Sequence, residues 1–307
     1  MVIRPADHGI FASQAAPFDP YQAYVLGGIT YTDTIGGIDF ATDTFTALSS
    51  TLATASRALG GASNNGTAGY TFGGLDSGDS GIDEIDKMPF DTQTNALLGT
   101  ALSAAMYYPT SLANSPTSAY LGGGHDGSSG LSTVQVFTFA SDTFAADATS
   151  LSSARWDGGG ASNNGTAGYW MGGNASNVID KTTFSDGTLA TLAATLSTSM
   201  SHTTATSNSG TAAYRFGGLN PKDTMDKLTY ATETIGTTTF ASLPRYGDTG
   251  ASNSGTAAYF FGGYNAAHAK QSTILKCPYA TDTLANLAAT MDRVRVYPAA
   301  YANCESL

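Results

Sequence analysis

Four of the seven arginines in this 307-residue chain recur at matching points of its sequence: Arg57, Arg155, Arg245 and Arg295. Aligning the surrounding segments puts Ser56, Met106, Arg155, Met200, Arg245 and Arg295 at one shared position. The next position holds Arg57, Tyr107, Trp156, Ser201, Tyr246 and Val296. An arginine beside Tyr or Trp offers forked N–H donors next to a flat ring, which suits carbohydrate, carboxylate or peptide ligands. The competing reading is mechanical, with the same pairs bracing the fold.

No catalytic set accompanies them. The four histidines, His8, His125, His202 and His268, show neither HxxxH nor HxE spacing, so a zinc site lacks its pattern. Gly122-Gly123-Gly124 and Gly158-Gly159-Gly160 lead into no helix and are not phosphate loops. The loop from Asp76 to Glu84 carries carboxylates that could offer oxygen ligands to Ca²⁺, or simply be solvated. Cys277 and Cys304 have no CxxC spacing and read as plain thiols. Asn65-Gly66-Thr67, Asn164-Gly165-Thr166 and Asn174-Ala175-Ser176 match a glycosylation sequon but read as turns. The expectation is a non-enzymatic protein with no metal and no cofactor.

The segments that carry these residues repeat. A Gly-Gly pair follows a short aromatic-rich strand at Gly27-Gly28, Gly73-Gly74, Gly122-Gly123, Gly172-Gly173, Gly217-Gly218 and Gly262-Gly263. A period of about 45–50 residues marks a repeat architecture. In four units an Asn-Gly or Ser-Gly turn, as in Asn64-Asn65-Gly66-Thr67 and Asn253-Ser254-Gly255-Thr256, predicts a hairpin whose turn residues tolerate positive φ, and Asn114-Ser115-Pro116-Thr117 is a degenerate copy. A third strand ends on an aromatic each time: Phe40, Phe90, Phe139, Phe184, Tyr230 and Tyr279. After it comes an Ala-Thr-Asp-Thr type turn, as at Thr42-Asp43-Thr44 and Thr281-Asp282-Thr283, whose side chains bond to the backbone and aim a fourth strand.

Four strands per repeat, six times over, predict an all-β, six-bladed β-propeller of four-stranded blades. Tyr297-Pro298-Ala299-Ala300-Tyr301-Ala302-Asn303 matches Tyr108-Pro109-Thr110-Ser111-Leu112-Ala113-Asn114, a first strand. The C-terminal strand is therefore expected to join the N-terminal blade and close the ring, which removes an exposed edge. Residues 21–307 form the propeller on this reading. Residues 1–20 are an arm outside it, either a strap on the ring or an element that docks to another protein.

Tyr70-Thr71-Phe72-Gly73-Gly74 and Tyr259-Phe260-Phe261-Gly262-Gly263 carry an aromatic–x–Gly-Gly element that resembles the kelch family. The resemblance covers residues 21–307. It departs from the family pattern in the last strand, where Phe45, Leu189 or Leu284 replaces a tryptophan. It implies that the loops after Gly-Gly, with His125, Asp126, Asn174, Lys222, Tyr264 and His268, share one side of the ring with the Arg–aromatic positions. The candidate ligand site is then a channel mouth formed by Arg57, Tyr107, Arg155, Trp156, Arg245, Tyr246 and Arg295.

Charged residues make up 12% of the chain, about half the usual share. The net charge of −11 argues against nucleic acid and anionic membranes as partners. No apolar run reaches the ~18 residues of a membrane span, and no secretory signal precedes residue 20. The Ser/Thr/Ala/Gly-rich, Lys-poor repeats with Asn-Gly-Thr-Ala-Gly-Tyr hairpins look similar to kelch-type propellers of bacteriophage virions. That likeness implies a tail, neck or fibre protein released by lysis, joined to other virion proteins by its arm and adhering to a host surface glycan. A cytoplasmic kelch-type interaction module is the alternative, and a sugar-processing propeller enzyme a third.

Overall fold

The computed structural model describes residues 22–219, 223–239 and 244–303, with residues 146–148 described by backbone alone. Six antiparallel four-stranded sheets make six blades. The first blade contains Gln22–Leu26, Thr32–Asp39 and Thr44–Ser56. Its inner strand is Ala299–Asn303, paired from Gln22↔Asn303 to Leu26↔Ala299. The end of the chain thus completes the blade that its beginning starts, as the sequence predicts. The arm and Cys304 lie outside the described residues.

Every interface between neighbouring blades is built alike. The tyrosine of one blade's second strand packs on the aromatic that follows the next blade's third strand. The six pairs are Tyr24–Phe90, Tyr70–Phe139, Tyr120–Phe184, Tyr169–Tyr230, Tyr214–Tyr279 and Tyr259–Phe40, with ring centroids 4.8–5.5 Å apart. Each of the six apolar clusters likewise joins two adjacent blades. The core of this molecule therefore lies between sheets, and face-to-face sheet packing supplies most of the burial.

The glycine pairs have a sharper role than crowding. The second glycine donates its amide to the segment that leads into the next blade: Gly28 to the Ser56 carbonyl, Gly74 to Met106, Gly124 to Arg155, Gly173 to Met200, Gly218 to Arg245 and Gly263 to Arg295, at 2.8–3.1 Å. Both members of each pair have positive φ. In five of the six pairs a Cβ at the first glycine would strike the same carbonyl, at 2.1 Å for Gly123 against Arg155; Gly172 is the exception, with the Met200 carbonyl 3.6 Å away. In the third blade the operative pair is Gly123-Gly124, one residue later than the reading of Gly122-Gly123, because Gly122 is still the last strand residue. The hairpin turns also differ in detail. Positive φ falls on the glycine alone, at Gly66, Gly165, Gly210 and Gly255, while Thr67 bonds back to Asn64 at 2.9 Å.

The Asp of the Thr-Asp-Thr turn does more than shape the turn. Asp142, Glu233, Asp282 and Asp43 each receive a lysine from the preceding blade: Lys87, Lys181, Lys227 and Lys276, at 2.5–2.7 Å. The strand-two tyrosine beside three of those lysines also donates to the acid, as Tyr70 does to Asp142 at 3.0 Å. These clasps sit at the outer ends of the aromatic pairs.

Candidate functional site

The inner strand of each blade is entered through one residue with positive φ: Ala58, Tyr108, Asp157, His202, Gly247 and Tyr297. These residues link into a belt around the axis. Ala58 N–H donates to the Tyr297 carbonyl (2.8 Å), Tyr108 to Ala58 (2.8 Å), Asp157 to Tyr108 (3.0 Å), Thr203 to Asp157 (3.4 Å), Gly247 to His202 (3.1 Å) and Tyr297 to Gly247 (2.7 Å). The left-handed turn lets each chain give one bond around the ring before it enters its strand. A closed circuit of backbone bonds makes a rigid frame for the side chains it carries.

Three of those side chains meet at the axis. Tyr108, His202 and Tyr297 come from alternate blades, and their rings form a triangle with centroid separations of 5.1, 5.3 and 5.9 Å. His202 Nδ1 lies against the Asp157 carboxylate. Burial pushes the imidazole down to about 4, so the ring is neutral at pH 7 and can present Nδ1–H to that carboxylate. Burial also pushes the Tyr108 hydroxyl up to about 12.

A wider aromatic sheet surrounds the triangle. Tyr107 packs on Tyr108 (5.6 Å) and on His125 (5.1 Å), and His125 meets the edge of Trp156 (5.1 Å). On the other side Tyr246 stacks on Tyr264 (4.8 Å) and bonds His268 Nδ1 through its hydroxyl (3.1 Å). Arg57 brings a cation to this face. It donates to the hydroxyls of Tyr31 and Tyr108, at 2.9 Å each, and to Asp79 at 2.7 Å. Burial works against its charge, but the bonds to Tyr31 and Asp79 hold its pKa above the ordinary arginine value. Tyr31 also donates to Asp79, and the two bonds hold that carboxyl below the usual range.

The sequence-derived candidates therefore separate into two groups. Tyr107, Trp156, His125, Tyr264, His268 and Arg57 are brought together at this mouth, backed by Tyr246, which is itself buried. Arg155, Arg245 and Arg295 are not at its surface, being 2%, 5% and 0% exposed. Arg155 pairs with the buried Asp180 and donates to the Val178 carbonyl (3.2 Å). Arg245 donates to Thr273 Oγ1 (3.0 Å). Arg295 donates to the carbonyls of Gly27 and Thr34, both at 2.9 Å. All three are braces, the mechanical alternative for these positions. Asp126 caps its own loop through Ser128 and Ser129, and Asn174 donates its amide to the Trp156 carbonyl (3.0 Å). Lys222 lies outside the described residues.

No family model and no curated protein matches this chain.

Several mouth residues were not singled out in the sequence: Tyr108, Asp157, His202 and Tyr297. Each stands one position after the ring of candidates, and only the belt geometry marks that position as axial. Arg215 was also missed. It is fully buried on a second strand, donates to the Thr198 carbonyl (2.8 Å) and pairs with Asp226 (3.3 Å). It does for Asp226 what Arg155 does for Asp180. The repeated Asp-Lys step at Asp86-Lys87, Asp180-Lys181 and Asp226-Lys227 was the available signal, with the acid turned into the blade and the lysine toward the next one. The acidic loop is occupied by its own bonds, since Asp76 caps Gly78 and Ser80. Among the described residues, no three His, Cys, Asp or Glu side chains gather as a metal site.

Proposed function

We propose that this protein is a non-enzymatic adhesion module that binds carbohydrate at the aromatic mouth. The observation that carries the reading is the joined surface of Trp156, His125, Tyr107, Tyr108, Tyr297 and Tyr264 on the backbone belt, backed by the buried Tyr246. Sugar rings present C–H faces that pack on aromatic planes, and their hydroxyls match the phenol, imidazole and Arg57 groups at the edges. A frame fixed before binding keeps the ordering cost low. The kelch-like repeats, the virion setting and attachment through residues 1–20 belong to the same proposal, supported by the composition and hairpin style of the repeats. A peptide-binding kelch module is favoured less, because three of the four ring arginines that would grip carboxylates are buried.

A glycan array tests the ligand. Binding that is lost in Trp156→Ala and Tyr107→Ala but kept in an exposed outer-strand variant such as Thr238→Ala supports the site. Binding indifferent to both mouth substitutions, or no glycan bound at all, rules it out. Labelling purified virus particles with an antibody to this chain, viewed by electron microscopy, tests the setting.

A further inference from the structure

Arg57 stands at the mouth with its donors already engaged. Its Nε–H and Nη1–H go to the hydroxyls of Tyr31 and Tyr108, and its Nη2–H goes to Asp79 Oδ1 at 2.7 Å. Tyr31 donates to the same Asp79 oxygen. The arginine side chain is sheltered, at 17% exposed, whereas that of Asp79 is 67% exposed. A carboxylate of this chain thus stands where the acid of a ligand would meet the guanidinium. The loop that carries it is braced. Leu75 and Arg57 exchange backbone bonds of 2.8 and 3.1 Å at its base. Asp76 accepts from the amides of Gly78 and Ser80, and the Asp79 amide donates to the Asp76 carbonyl at 3.0 Å. Asp79 has φ +58°, a conformation that Asp adopts more readily than most residues.

An ion pair this open adds little to stability, so its consequence lies in binding. A ligand carboxylate or sulfate has two ways to approach Arg57. It can displace Asp79, an intramolecular competitor whose effective concentration is on the order of millimolar or above. Or it can settle beside Asp79 as a like charge, which is unfavourable. Asp76 and Asp83 in the same loop, and the exposed Asp126 in the equivalent loop of the third blade, add negative charge to this face. A neutral sugar meets neither obstacle. Resting on the carbohydrate reading of the mouth, we propose that Asp79 sets its selectivity. It fills the anion position on Arg57, so that the mouth takes neutral saccharides and refuses acidic ones such as uronic acids, sialic acids and sulfated sugars.

The test has two readouts on the full chain, for the wild type, Asp79→Gly and Asp83→Asn. Both variants remove one negative charge from the loop, and Gly suits the left-handed backbone at position 79. In the first, sodium acetate and sodium sulfate are titrated at constant ionic strength while NMR follows the Arg57 Nε–H signal. The expected result is an anion Kd at least about tenfold lower in Asp79→Gly than in the wild type, with Asp83→Asn behaving as the wild type does. In the second, a glycan array carries neutral glycans beside their sialylated and sulfated counterparts. The wild type should bind the neutral members, and Asp79→Gly should gain the acidic ones. The proposal is overturned if the wild type binds the anions as tightly as Asp79→Gly, if Asp83→Asn gains as much as Asp79→Gly, or if the wild type prefers the acidic glycans. An array blank for every protein, beside a gain in acetate affinity confined to Asp79→Gly, would sink the carbohydrate reading while upholding the block on Arg57.

Discussion

Phe40 of the first blade and Tyr259 of the last pack with ring centroids 4.8 Å apart. The same two blades are joined by Lys276 and Asp43, 2.7 Å apart. The closing interface thus repeats the aromatic pair of the other five and the lysine–acid clasp found at three of them. Closure by a strand from the far end of the chain also leaves no exposed inner edge.

This equivalence predicts that Phe40→Ala destabilises the protein as much as Phe139→Ala. Both remove a buried ring from one inter-blade stack, at about 3–5 kcal/mol each. Urea unfolding of the two variants measures it. A Phe40 variant that loses less than half of what the Phe139 variant loses would show that the first and last blades separate easily.

The glycine pairs give a second comparison. Gly123 has φ +68°, and its absent Cβ would lie 2.1 Å from the Arg155 carbonyl, which is backbone and cannot step aside. Gly165 has φ +74° with nothing within 4 Å. Gly165→Ala therefore meets only the left-handed strain, about 1–2 kcal/mol. Gly123→Ala adds a steric clash and the loss of an inter-blade hook, so soluble expression is expected to collapse. Equal melting temperatures for the two variants would contradict the hook.

Much of this architecture is legible in the sequence because each repeat restates it. The glycine pairs, the turn acids and the matching tail segment fix blade number and closure, and the aligned ring positions coincide with the carbonyls that the glycines bind. What repetition hides is direction. Arg155 and Trp156 are adjacent, yet one turns inward to Asp180 and the other outward to His125, and composition cannot tell them apart. Tyr108, His202 and Tyr297 converge only because alternate blades meet at the axis, a relation no local pattern contains. The partner of Asp43 lies in the last blade, so the turn reads as local until the ring is closed.

Adjacent residues should accordingly fail in different ways. Arg155→Ala leaves Asp180 buried without its cation and is expected to cost about 3–5 kcal/mol, seen as a large drop in the urea midpoint. Trp156→Ala removes a half-buried ring from the mouth and should lose glycan binding while keeping a cooperative transition near that of the wild type. A Trp156 variant that unfolds as readily as the Arg155 variant would recast the tryptophan as a brace.

Asp248 makes stability depend on pH in a direction opposite to most carboxylates. Burial pushes its carboxyl up to about 7, with Arg245 only partly offsetting the effect, whereas an exposed Asp titrates near ~3.9. The folded protein therefore retains a proton that the unfolded chain releases across this interval. The stabilisation is full below pH ~4 and is lost as the pH rises through ~7. Asp248→Asn fills the same space and has no proton to lose. Its stability relative to the wild type should rise between pH 4.5 and pH 7.5, by a few kcal/mol at most on the order of ~1.4 kcal/mol per unit. Urea unfolding of both proteins at pH 4.5, 6 and 7.5 reads the difference directly. A difference that stays flat, or that moves in favour of the wild type as the pH rises, would mean that the carboxylate has found a partner in solution and is ionised throughout.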